Sequence, residues 1–424
     1  MEDSLAACLK LLRHVASDEP WWQLQFGGKN KIKKSKDKWR QFFEHYLICI
    51  RAIVVKNLKL DTERSGSPSE DAGDVWQDLY GRLCDSTKLG QCVSFSTSEE
   101  RFAYLLNFFD KRSAYMANMM ATVEKGTPAI LNLLHRHDAD QAGKPIVVSS
   151  YGGGPGFSAV GFFAYCLYDV GLRDKRVVWH ILDYEPAWKE QVDVVAKSLN
   201  EFRELLGEFC DLPSIEIKFS TCDVRQPVAA EDVKAASDLK FLNREVRDIS
   251  ALSDMFVFSF VLVENELALQ ENHFKFVTDL FVQGLKGRKN CALSSIFMDS
   301  THRLWPRIIN LLAKEHERLG DFYFVPKIRR QLRCPRNAMV IVYPNGDNRL
   351  KILHEELKEG SVSVREYMEK VGFSSCTTLP QKPLHANTSD KNDEAAKSLE
   401  QFQLDSEFQQ AWRDKNRYSR DKVL

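Results

Sequence analysis

The stretch "IVVSSYGGGPGFSAVGF", Ile146 to Phe162, constrains the fold more than any other. A β-branched apolar run leads into Gly152, Gly153 and Gly154; Pro155, Gly156 and a second apolar segment follow. Glycines clustered between a strand and a helix let backbone approach a ligand closely, while the helix presents its first N–H groups. A simple connecting turn needs fewer glycines. The pattern therefore reads as a buried strand, a nucleotide-cradling turn and a helix.

The same grammar continues downstream. "RVVWHILDY", "IEIKFSTCDV", "DMFVFSFVLVE" and "NCALSSIFMDS" read as further strands, with helical patterns such as "PAWKEQVDVVAKSLNEFRELLGEF" among them. Strands separated by helices imply parallel βαβ units. "FYFVPKI" and "AMVIVYPN" read as strands six and seven, with about nine mostly polar residues between them. That is too short for a crossover helix, so these two are expected to form an antiparallel hairpin. The fold class expected is α/β, a seven-stranded Rossmann-like sheet with a terminal antiparallel hairpin.

Residues 1–92 read as an all-helical N-terminal domain, with "DTERSGSPSEDAGD" (61–74) as a polar linker. Residues 93–347 form the sheet domain, of which 93–144 is a helical lead-in. Thr97 and Glu100 have the spacing of a capping box at the start of a long amphipathic helix ending at Gly126, and Pro128 opens a shorter helix, "PAILNLLHRH". Residues 348–424 are expected to be a polar, partly disordered tail with a helix near Leu399–Arg413.

Charge and cysteine usage exclude several classes. Lys plus Arg equals Asp plus Glu, 59 each, so any polyanion must be bound by a local patch. The ten cysteines form no C-x-x-C pair and have no zinc-ligand spacing, so no metal is expected. The first residues lack a secretory signal, and no apolar run is long enough to span a membrane. An intracellular location, cytoplasmic or nuclear, is expected, and the oligomeric state is left open.

"GPGFSA" from Gly154 also fits G-x-G-x-x-A, so a nicotinamide or flavin dinucleotide competes as ligand. Three features point elsewhere. The "GGGPG" turn resembles motif I of class I S-adenosylmethionine (SAM)-dependent methyltransferases. Asp183 closes the second strand, where a carboxylate accepts ribose hydroxyls, with Glu185 in reserve; Asp223 closes the third. The resemblance covers about residues 146–345 and also extends, distantly, to ribosomal RNA base methyltransferases. It implies a seven-strand order with the last strand between five and six, and SAM as cofactor. The residues it places at the cofactor are Ser150, Tyr151, Gly152, Gly153, Gly154, Gly156, Asp183, Tyr184, Glu185, Cys222, Asp223 and Ser259. In such enzymes an acid at the position of Asp223 receives the adenine amino group. One departure stands out: Ser150 occupies the position of the motif I acid, which helps fix the amino-acid end of SAM. Arg112, Tyr115 and Asn118 on the upstream helix are placed to reach over the cofactor.

The acceptor is harder to read. "FSFVLVENEL" at the fourth strand's end lacks the D/N-P-P-Y/F that grips exocyclic amines, a Pro-Cys or Thr-Cys nucleophile, and the acid of ribose 2′-O enzymes. Ser259, Glu264 and Asn265 are the polar groups nearest the expected methyl position, Ser259 and Glu264 being catalytic candidates; Glu264 and Glu266 equally fit the solvated first turn of a helix. "MDSTHRLW" offers Asp299, His302, Arg303 and Trp305 for an acceptor pocket, with His302 as a candidate base; a capped helix start explains the same residues. Two basic runs, Lys29–Arg40 with Trp39 inside it and Lys327–Arg336 with Arg329 and Arg330, favour RNA as partner, most plausibly methylated at a ring nitrogen. Small-molecule or protein acceptors, and a non-catalytic scaffold of the same fold, are the alternatives.

Overall fold

A computed structural model describes residues 1–17, 29–65, 72–89, 93–126, 143–207, 212–228, 244–286, 293–298, 323–324, 338–343 and 362–363 of the 424-residue chain. The chain divides into two units, Met1–Tyr367 and Met368–Leu424, and every described residue belongs to the first. The expected helices "PAILNLLHRH" and Leu399–Arg413 lie outside the described residues.

Among the described residues, four helices precede the sheet: α1 (Glu2–Ser17), α2 (Lys29–Ser65), α3 (Ala72–Leu89) and α4 (Ser98–Gly126). The capping box of α4 is formed reciprocally. Glu100 N–H donates to Thr97 Oγ1 at 3.2 Å, and Thr97 N–H donates to Glu100 Oε2 at 3.3 Å. Two orphan donors of the first turn are thereby satisfied. Helices α2 and α3 extend into the stretch read as a linker, because Asp, Glu and Arg there are compatible with helix and carry no proline until residue 68.

Strands β1 (Ile146–Tyr151), β2 (Arg176–Asp183), β3 (Ser214–Thr221), β4 (Met255–Ser259) and β5 (Leu293–Met298) are parallel neighbours in the order β3-β2-β1-β4-β5. Helices α5 (Phe157–Tyr168) and α6 (Trp188–Leu206) connect β1 to β2 and β2 to β3. Helix α7 (Arg244–Leu252) precedes β4; α8 (Val261–Glu264), α9 (Glu266–Glu271) and α10 (Lys275–Lys286) lead to β5. Helices α7 and α10 pack together, and the right-handed rule for parallel crossovers assigns them to the sheet face opposite α5 and α6.

The sheet is completed by β6 (Tyr323–Phe324), β7 (Ala338–Tyr343) and β8 (Val362–Ser363). Strand β7 lies between β5 and β6, antiparallel to both, and β8 pairs antiparallel with β6. This corrects the expectation of seven strands closing in a hairpin. The sheet has eight described strands, five of them parallel, and its antiparallel part is three strands rather than a terminal pair. A two-residue strand such as Val362–Ser363 leaves no readable alternation in a polar stretch, so the sequence gives no warning of it.

The fourth strand is also shorter than read. It stops at Ser259, and Phe260, at φ 63°, turns the chain into α8. "FVFSFVLVE" is apolar throughout, and such a run does not distinguish strand from helix.

The N-terminal helices share a core with the sheet's own helices. Tyr46 on α2 donates its hydroxyl to Val160 O at 2.9 Å, and Asn57 reaches Ser198 Oγ at 3.0 Å. Trp39, Phe42 and Tyr46 pack against Tyr165, Tyr168 and Phe202. Helix α4 crosses α5 at Gly161, where an added Cβ would lie 2.1 Å from Ser113 O. Only glycine permits that approach, and it carries α4 along the edge where the site forms.

Candidate functional site

Strands β2 and β3 lie on one side of β1, and β4 and β5 on the other. Where strand order reverses, the loops leaving neighbouring strands diverge and open a crevice beyond their carboxyl ends. Gly152–Gly156, Asp183–Glu185, Cys222–Asp223 and Ser259–Phe260 all leave strands at that edge.

In the glycine turn, Gly152, Gly154 and Gly156 have φ of 64°, 50° and 92°, in the left-handed region that disfavours side chains. Their surroundings differ. A Cβ on Gly152 would stand 2.3 Å from Val261 Cβ, and Cβ atoms on Gly153 and Gly156 would each stand 2.9 Å from Ile181. Those three are close-packed by the protein itself. At Gly154 the nearest atom among the described residues, Tyr104 Cε1, is 4.0 Å away, an ordinary van der Waals contact. Gly154 is thus the one of the four that a Cβ would not crowd.

Asp183 ties this turn to the end of β2. Its Oδ2 accepts from Gly154 N–H at 2.8 Å and its Oδ1 from Glu185 N–H at 3.1 Å. A carboxylate has about four acceptor positions, so the two bonds fix its orientation and leave capacity for a ligand's hydroxyls. Burial pushes its carboxyl up to about 6, against the opposing pull of the Glu185, Gly154 and Tyr184 N–H donors. Glu185 turns its side chain to the approach of the next helix, its Oε1 accepting from Ala187 N–H at 3.2 Å. Tyr184 is 48% exposed, with the Arg225 guanidinium 4.3 Å above its ring.

Asp223, one strand further, is differently placed. Its two oxygens take a bidentate pair from Arg225, at 2.7 Å to Nε and 3.0 Å to Nη2, and the Arg225 N–H adds a third bond at 3.0 Å. The carboxylate is buried, and the pair raises the Arg225 guanidinium further above its ordinary value. Arg225 escaped the sequence reading; its signal was an arginine two residues after the acid. Cys222 is buried beside it, its thiol pushed up by burial and then by Asp183 and Asp223.

Ser150 and Tyr151 are fully buried. Ser150 Oγ lies 3.1 Å from Ser158 Oγ and Tyr151 Oη 3.0 Å from Ser250 Oγ, so both hydroxyls are paired inside the domain. Burial raises the Tyr151 phenol.

At the end of β4, Ser259 is half-buried, and Glu264 sits half-buried on α8. Asn265 Nδ2 donates to Val261 O at 2.9 Å and closes that helix. Phe260 combines a left-handed backbone with an N–H bonded to Met298 O at 3.0 Å. Over its ring, at 4.1 Å, stands the guanidinium of Arg112, and the Tyr115 ring lies 5.7 Å away. Phe260 and Tyr104 line this edge without having been singled out in the sequence, since each sits in an apolar pattern that also fits a core.

Asp299, His302, Arg303, Trp305, Arg329 and Arg330, with the whole run Lys327–Arg336, lie outside the described residues. The Lys29–Arg40 run starts α2, and of its side chains only Lys38, Trp39 and Arg40 are described. Trp39 is buried, stacked on Phe43 at 5.5 Å, and Arg40 pairs with Glu44 at 2.8 Å. Trp39 is thus a core side chain. No cluster of metal-ligating side chains occurs among the described residues, and no described helix is long and apolar enough to cross a membrane.

No family model matches this chain, and no curated protein does. Among solved structures, an O-methyltransferase family protein from Burkholderia thailandensis aligns over 66% of this chain and 71% of its own, at 9% identity and a TM-score of 0.33. A probable spermidine synthase from Corynebacterium glutamicum aligns over 64% and 82%, at 11% identity and a TM-score of 0.28. The plantazolicin methyltransferase BpumL, solved in complex with SAH, aligns over 64% and 100%, at 9% identity and a TM-score of 0.30.

Proposed function

We propose that this protein is a SAM-dependent methyltransferase. The observation that carries the reading is the pairing of the left-handed glycine turn, least crowded at Gly154, with an oriented, incompletely engaged carboxylate at Asp183, both at the switch point of the sheet. A nucleoside fits that donor set. Gly152–Gly156 would accept its close approach, and Asp183 would take the ribose hydroxyls. Tyr184, Glu185, Cys222 and Asp223 would border the base, with Arg225 holding Tyr184 and Asp223 in place. SAM bound there supplies an electrophilic methyl group on a sulfonium. The chain's task is then alignment of the acceptor and exclusion of water; Ser259 and Glu264, and His302 beyond the described residues, are the groups proposed to meet the acceptor. Titration calorimetry with SAM, its demethylated product S-adenosylhomocysteine (SAH) and NADH tests this: SAM and SAH should bind and NADH should not. Binding of NADH alone would favour the dinucleotide reading.

The proposed acceptor is RNA, methylated at a base nitrogen inside the cell, with residues 93–347 as the methyltransferase domain and 1–92 and 348–424 as additions. The support is the pair of basic runs in a chain of balanced charge. Transfer of a tritiated methyl group from SAM into fractionated RNA, protein and small-molecule pools decides among acceptors. RNA affinity should fall with added salt if the basic runs are its source. A non-catalytic role has one observation in its favour: the hydroxyl at position 150 is engaged by Ser158, and no carboxylate stands there. Absence of transfer into every pool, with SAH still bound, would select it.

A further inference from the structure

Among the described residues, Arg112 is held at this edge by aromatic rings alone. It rises from α4 and lies against three aromatic rings: Phe260 at 4.1 Å, Phe108 at 4.8 Å and Tyr104 at 5.2 Å from guanidinium carbon to centroid. Among the described residues, no carboxylate or carbonyl hydrogen-bonds or ion-pairs with it. Nearby arginines behave differently: Arg51 pairs with Asp110, and Arg225 with Asp223. Aromatic faces hold a guanidinium in one orientation and displace part of its water, yet supply no acceptor for its five N–H groups.

Its neighbours connect it to the crevice from both sides. The Tyr104 ring comes within 4.0 Å of a Cβ built on Gly154, and Phe260 follows Ser259 at the end of β4, bearing the left-handed turn into α8. Val261, next along, closes on Gly152. The guanidinium therefore belongs to the gap between the glycine turn and β4. Position 150, at the end of β1, carries a hydroxyl bonded to Ser158, so no carboxylate at that position supplies a counterion.

We propose that Arg112 is an oxyanion-binding residue of the crevice, one that takes a carboxylate or phosphate group from a bound molecule. Guanidinium geometry suits such a planar, bidentate partner, and partial desolvation by the rings strengthens the bond. Two sources carry this chemistry: the amino-acid carboxylate of the cofactor, which rests on the function proposed above, and an anionic group on the acceptor.

The test uses the full chain as wild type, Arg112→Gln and Arg112→Lys, titrated with SAH, with 5′-methylthioadenosine, which lacks the carboxylate, and with inorganic phosphate. If the cofactor is the source, Arg112→Gln weakens SAH by about tenfold or more, leaves methylthioadenosine unchanged, and Arg112→Lys recovers part of the loss. If the acceptor is the source, both nucleosides bind all three proteins equally. Phosphate then binds the SAH-loaded wild type and Arg112→Lys but not Arg112→Gln. The proposal is overturned if SAH and methylthioadenosine weaken together with a lowered melting temperature, which marks a packing role. It is equally overturned if SAH is unaffected and phosphate either fails to bind or binds Arg112→Gln as well. Should the wild type bind neither nucleoside, the cofactor reading fails by itself. Phosphate titration of the ligand-free proteins then decides Arg112 by the same comparison.

Discussion

The ends of β2 and β3 each present an aspartate, and the two are unlike. Asp183 is held by backbone N–H groups, one to each oxygen, and keeps acceptor capacity; burial raises its carboxyl to about 6. Asp223 is buried under a bidentate arginine that engages both its oxygens. Two acids at the ends of neighbouring strands, Asp223 two residues beyond the register partner of Asp183, thus have different uses. Backbone donors orient a carboxylate without neutralising it, whereas a guanidinium does both. In this account Asp183 binds the ligand, and Asp223 holds Arg225 over Tyr184.

The largest effect expected from this difference is on cofactor affinity. Asp183→Ala should weaken SAH by roughly 100-fold or more while leaving the circular-dichroism spectrum unchanged, and Asp223→Ala should weaken it by clearly less. Equal losses would erase the distinction, and unchanged affinity in Asp183→Ala would transfer the ribose role to Glu185.

Next comes pH. Ribose hydroxyls donate to the ionised carboxylate, so a proton on Asp183 must leave before they bind. With the carboxyl at about 6, SAH affinity should drop about tenfold between pH 7 and pH 5 and level off above pH 7. Asp183→Asn should show no such step. The sign for folding is opposite to the usual carboxylate case. Because the folded pKa lies above the unfolded one, the ligand-free protein loses stability as pH rises from about 4 to 6 through this group. A thermal-melt series across that range should show the loss in wild type but not in Asp183→Asn.

Two smaller effects separate ligand-facing glycine and structural arginine from the acid itself. Gly154→Ala strains a positive φ and adds a methyl against the Tyr104 side of the glycine turn, so SAH should weaken by about tenfold at a stability cost of about 1 kcal/mol. By contrast, Gly161→Ala forces α4 away from α5 and should cost about 1–3 kcal/mol in denaturant unfolding. Arg225→Gln leaves Asp223 buried with a weaker partner. It should cost about 1 kcal/mol of stability and reduce SAH affinity by only a few-fold; a loss matching Asp183→Ala would place Arg225 itself on the ligand.

Much of the frame was legible because its signals are local. The Thr97–Glu100 spacing is a capping box, and both of its bonds form. The five parallel strands follow from apolar runs interrupted by helical periods. What escaped was set by tertiary contact. The end of β4 depended on Phe260 adopting a left-handed turn, which an unbroken apolar run conceals. That Ser150 is closed off by Ser158, and Asp223 by Arg225, follows from pairings that no periodicity encodes. Trp39 lies inside a basic run, which gives no sign of burial; it is buried because α2 turns that face onto Tyr165 and Tyr168.

The central claim is that Asp183 receives the ribose of an adenosyl cofactor. Its most direct test is calorimetric titration of wild type and Asp183→Asn with SAH and with 2′,3′-dideoxy-SAH at pH 7.5. The account predicts that wild type binds SAH and loses that affinity on removal of the two hydroxyls, whereas Asp183→Asn binds both compounds equally weakly. Undetectable SAH binding to wild type, or a hydroxyl dependence that persists undiminished in Asp183→Asn, would contradict it.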